Sequence, residues 1–155
     1  MKVRISLFSL LIAMSISSCN LDSTFEDDHN FEETGWHMDD QISFSFESEA
    51  QPQKFEIKVR SNLEYPFYNL YLRVELLDSL DNTLKEELLS FDLYDSATGK
   101  PLGKGNSIYQ LNTPAFSTLA MPYEGTYTLK LTQYMRVAEL AGILSVGVRV
   151  THPKN

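Results

Sequence analysis

The chain is poor in the residues that most often carry chemistry. It has one cysteine in 155 residues, Cys19, so no intrachain disulfide can form and the fold must rest on a hydrophobic core. The three histidines, His29, His37 and His152, sit near the chain ends, and none has a neighbour two to four residues on that suits a metal. Basic residues are scarce. Thirteen Lys and Arg against 21 Asp and Glu give a net charge of −8. This argues against nucleic-acid and anionic-lipid surfaces, both of which call for basic patches. No GxSxG stands in the chain. Gly99 to Gly105 reads GKPLGKG, one residue short of a phosphate loop, with Gly105 where the magnesium-binding hydroxyl should be. It reads as a hairpin loop. The acidic pairs Asp39-Asp40 and Glu86-Glu87 read as charged surface rather than as a glycosidase pair. No catalytic residue, metal or cofactor is expected, and the protein is not read as an enzyme.

Long apolar runs are also lacking. Only Ile5 to Ile16 is sustained, which is short of the roughly 20 residues a membrane span needs. With Lys2 and Arg4 before it and Ser17-Ser18-Cys19 after it, the segment has the parts of an export signal. Small residues suit the cut, and a cysteine directly behind it is the acceptor for diacylglycerol in bacterial lipoproteins. Lipidation accounts for a lone thiol in an oxidising compartment, and several acyl chains hold a protein to a membrane far better than one. Residues 1–18 are therefore read as a lipoprotein signal peptide and Cys19 as the lipidation site. The anchor places the protein in the cell envelope, with the outer membrane as the expected location. Losing Lys2 and Arg4 takes the remaining chain from −8 to −10.

Residues 19–34 read as a tether. Asp22, Glu26, Asp27, Asp28, Glu32 and Glu33 occur there without a basic residue, and repelling charges keep such a segment extended. Its reach is at most about 50 Å, at roughly 3.4 Å per residue. Glu26-Asp27-Asp28-His29 lacks the glycine-turned spacing of a calcium loop and reads as solvated spacer.

Residues 35–155 read as one β domain. Ile42, Phe44 and Phe46, then Phe55, Ile57 and Val59, then Leu70, Leu72, Val74 and Leu76, alternate with polar residues as in half-buried strands. Tyr127, Leu129 and Leu131 repeat the pattern, and Val146, Val148 and Val150 close it. Leu84 to Tyr94 is ambiguous and is read as strand from about Leu88. Tyr134 to Leu144 changes period: Val137, Leu140, Ala141 and Leu144 share a helical face, which predicts a short helix. The sum is an all-β, antiparallel β-sandwich, Ig-like or jelly-roll-like, with one short helix before the last strand. Trp36 is expected to plug an open end. Tyr65, Phe67, Tyr68 and Tyr71 form an aromatic group beside a turn, either capping the core or offering exposed rings to a glycan. Arg136 is expected to pair with a carboxylate such as Glu139, or else to contact a partner.

The order of these features resembles the gliding-motility lipoprotein GldH family of Bacteroidetes. The likeness is carried by the lipobox, Trp36 behind the acidic segment, Tyr68-Asn69-Leu70-Tyr71-Leu72, and Thr98-Gly99-Lys100-Pro101-Leu102-Gly103-Lys104-Gly105. It continues through Gly125-Thr126-Tyr127-Thr128-Leu129 and Gln133-Tyr134-Met135-Arg136, then Leu140, Gly142, Ile143 and Val146-Gly147, and so spans nearly the whole chain. The resemblance implies an envelope lipoprotein tied to gliding machinery through protein contacts, with no assigned enzymatic activity or cofactor.

Overall fold

The computed structural model describes residues 23–32 and 35–153. The expected signal peptide and Cys19 lie outside these residues. Twelve strands follow one another: β1 (Ser23–Asn30), β2 (Trp36–His37), β3 (Ile42–Ser48), β4 (Pro52–Ser61), β5 (Asn69–Leu77), β6 (Thr83–Asp92), β7 (Lys104–Gly105), β8 (Tyr109–Pro114), β9 (Leu119–Ala120), β10 (Gly125–Gln133), β11 (Glu139–Leu140) and β12 (Ile143–Thr151). One sheet runs β1-β12-β4-β8-β7, with β9 also paired to β4. The second runs β3-β10-β5-β6. All pairings are antiparallel, as expected for a sandwich.

The alternating residues supply the interior. Phe44, Phe46, Leu72, Val74, Leu76, Tyr127, Leu129 and Leu131 from one sheet, and Phe55, Ile57, Val59, Val146, Val148 and Val150 from the other, are buried in a single core cluster. Phe46 links the layers, its ring edge-on to Phe55 at 5.9 Å and within 5.6 Å of Phe25. Trp36 is fully buried, as the plug reading expected. It stacks on Phe31 at 5.0 Å, donates from Nε1 to the Asp40 carbonyl at 2.9 Å, and pairs through β2 with Leu140 on β11.

Three sequence readings need correction. The first is the tether. Residues 23–30 form an edge strand against β12, so the folded unit begins by Ser23 rather than at residue 35. The acidic cluster is no spacer either. Lys58 Nζ donates to Glu26 Oε1 at 2.7 Å and to Asp28 Oδ2 at 2.6 Å, and Arg149 Nε donates to Glu26 Oε2 at 2.8 Å. Register places Gly147 of β12 between Asp28 of β1 and Lys58 of β4. Without a side chain at Gly147, the lysine stem crosses the central strand to reach the acids. A Cβ there would collide with the Asp28 carboxylate.

The second correction is the helix. No helix occurs among the described residues, and residues 134–144 are a loop, the short strand β11 and the start of β12. The Gln133 side chain takes the backbone groups a helix would use, as described below, and Arg136 is left-handed at φ 59°. A helix of this length, below the roughly 12–15 residues an isolated helix needs, is too short to sustain itself against tertiary pairing. The third correction is smaller. β6 begins at Thr83, ahead of the expected Leu88, because the β5–β6 turn starts the ladder there. Asp78 builds that turn: its carboxylate accepts from the Leu80 and Asn82 amides, the Asn82 side chain and the Tyr123 hydroxyl. The Tyr123 bond, then those from Asn82 and Leu80, hold the Asp78 carboxyl well below its usual range.

Candidate interaction site

The most chemically mixed concavity lies on the outer face of the β3-β10-β5-β6 sheet, at the end where β10 leaves it. Gln133, the last residue of β10, is buried. Its Oε1 accepts from the Met135 amide at 2.8 Å and its Nε2 donates to the Val137 carbonyl at 2.8 Å. One buried amide thus sets the path of residues 134–137. The loop is also fastened to β5, where the Tyr134 amide donates to the Tyr71 carbonyl at 2.9 Å and the Tyr71 amide donates to Met135 Sδ at 3.2 Å.

The result is a cleft of about 460 Å³ lined by Tyr71, Leu88, Tyr134, Met135 and Arg136. Leu88 and Tyr134 are more than half exposed, at 55% and 51%, and Tyr71 is 38% exposed. Arg136 is exposed and makes no hydrogen bond or ion pair among the described residues. The expected partner, Glu139, instead lies 3.9 Å from His37 Nε2. Arg73 and Arg149, by contrast, both have carboxylate partners.

The five residues singled out by sequence separate into groups. Tyr71 and Arg136 come together in the cleft. Tyr65 is buried, donates its hydroxyl to the Asn69 carbonyl at 2.6 Å and stacks on Tyr94 at 6.2 Å. Burial, then the neighbouring Tyr94, pushes its phenol pKa up. Phe67 meets Tyr65 edge-on at 72°, so these two rings offer no coplanar sugar platform. Tyr68 is exposed, while its carbonyl accepts from the Leu93 and Tyr94 amides. Leu88, Tyr134 and Met135 were missed by sequence reasoning. The available signal was the alternation of β6, which puts Leu88 outward, and the position of Tyr134 just past a strand end.

A second cleft, of about 380 Å³, is lined by Glu47, Glu49, Glu124 and His152 with Ser48, Gln51 and Gln53. Among the described residues, no three His, Cys, Asp or Glu side chains are grouped to hold a metal ion.

Comparison with known proteins adds a lineage. The profile of the family described as GldH lipoprotein matches residues 23–150. The chain is similar to the gliding motility lipoprotein GldH of Flavobacterium johnsoniae, 24% identical over 159 residues that cover 97% of this chain and 98% of that one. Among solved structures, an arabinose-bound α-L-arabinofuranosidase is matched over 79% of this chain and 19% of its own, with 8% identity and a TM-score of 0.41. The VP2 subviral particle of infectious bursal disease virus is matched over 83% of this chain and 30% of its own, with 11% identity and a TM-score of 0.38. The chain spans less than a third of either, and likenesses this weak carry no argument about function.

Proposed function

Because this chain belongs to the GldH lipoprotein family, we propose that it is a non-catalytic envelope component, lipid-anchored at Cys19, that acts in or beside gliding machinery through protein contacts. The observation that carries the anchor is Ser17-Ser18-Cys19 behind a charged and then apolar leader. The family's name for its members agrees with it. β1 starts at Ser23, four residues after the cysteine, so the distance between the two is at most about 14 Å at roughly 3.5 Å per residue. An anchor at that distance holds the sandwich beside the bilayer. The face available for partners is the cleft of Tyr71, Tyr134 and Arg136, whose Tyr, Met and Arg content is the composition that protein interfaces favour.

The test is Cys19→Ala in the native organism, read by membrane fractionation and by incorporation of radiolabelled palmitate. The variant is expected to lose the label and to leave the membrane fraction while its domain stays folded by circular dichroism. Retained label or unchanged fractionation removes the anchor from the reading.

A further inference from the structure

We infer that the Arg136 cleft is a docking site for an extended protein segment that places an aromatic or aliphatic side chain beside an Asp or Glu. The inference rests on the protein-contact reading above and adds to it the chemistry of the partner.

Three observations point to it. Arg136 occupies the left-handed region at φ 59°, where glycine is at ease and a long side chain is strained. Strain of this kind persists where the surroundings over-determine it, and here buried Gln133 does so from both sides of the loop. A glycine at position 136 would relieve the strain, so the arginine there comes at a cost to stability. What the cost secures is a guanidinium carried on a backbone held by Gln133, without a carboxylate partner among the described residues, in a chain of net charge −8. The rest of the lining is two tyrosine rings, a leucine and a thioether. A planar guanidinium takes a carboxylate through paired hydrogen bonds, and the rings and Leu88 take an apolar side chain next to it. Exposed charges are screened over about 8 Å at physiological salt, so acids beyond that range do not cancel the local guanidinium, and the nearby Glu86 is paired with Arg73. Preorganisation lowers the ordering cost of binding.

The experiment titrates the full chain in detergent micelles with the capped peptide Gly-Phe-Glu-Gly, its Gln counterpart Gly-Phe-Gln-Gly, and trigalacturonate, following the Arg136 Nε and the Tyr71 and Tyr134 signals by NMR. The Glu peptide is expected to move these signals and to bind about tenfold or more tightly than the Gln peptide. Arg136→Gln is expected to erase that preference. Arg136→Gly is expected to erase it too while raising Tm, since it removes the strain together with the charge. Equal binding of the two peptides, wild-type binding by either variant, a lowered Tm in Arg136→Gly, or tighter binding of trigalacturonate than of the Glu peptide would each overturn the inference. Failure here leaves the Cys19 result untouched, because fractionation does not depend on the cleft.

Discussion

Trp36 shows how much can hang on one side chain. Its indole fills the space between the ladder to Leu140 and the stacked Phe31, and its N–H is satisfied by the Asp40 carbonyl. Trp36→Ala removes the ring and orphans that carbonyl, and is expected to cost about 3–5 kcal/mol by denaturant unfolding. A cost below about 1 kcal/mol would mean that Phe31 collapses into the vacated space. Sequence reached Trp36 because a lone tryptophan at the head of an alternating domain has few places to go. It did not separate Tyr65 from Tyr68, three residues apart beside the same turn. Burial of one ring and exposure of the other are decided by Tyr94, which arrives from beyond β6.

At the scale of elements, period-two alternation made the long inner strands legible, since each has one face in the core. β1 was hidden because its sequence, STFEDDHN, has the composition of a solvated spacer. Glu26 and Asp28 are neutralised by Lys58 and Arg149, which lie 32 and 123 residues from Glu26. Residues 134–144 were misread for the converse reason. Val137 and Leu140 are spaced for a helix, yet each packs inward from a clamped loop and a two-residue strand. The acidic clasp makes β1 sensitive to acid. The Glu26 carboxyl is lowered from 4.5 to about 2, by its hydrogen bonds to Arg149 and Lys58 in that order. A lowered folded pKa contributes stability that is complete above the unfolded value and is lost as pH falls through the folded one. Between pH 4.5 and 2, the amide signals of β1 are expected to lose their folded positions before those of β4 and β12. Glu26→Gln should abolish that acid step. Simultaneous loss across the sheet would show that the clasp does not govern β1.

For the molecule as a whole, the starting point of the folded unit has practical weight. A variant beginning at Ser23 keeps the cover on β12, whereas one beginning at Gly35 bares that edge and leaves Lys58 without Glu26 and Asp28. A buried lysine stripped of its partners and an open central edge both destabilise. The shorter variant is expected to show a lower Tm and concentration-dependent association by light scattering, and the longer one neither. Matching behaviour of the two would return β1 to the status of a tether. The cleft, too, exists only at this scale. Tyr71 and Arg136 were each visible in sequence, but they meet only because β5 and β10 pair.

β1 is also the strand through which tension from the N-terminal side enters the fold. A load applied at Ser23 along the strand axis shears the whole ladder to β12, so its hydrogen bonds and the Lys58 and Arg149 pairs resist together. A load across the axis peels the bonds one at a time. The register irregularity between Ser23 and Phe25 yields first, and Glu26 is the first residue held by charge as well as by backbone. The same acids that look like a loose spacer on paper thus act as a stop, fixing how far a pulled chain can unzip before the sandwich itself must move.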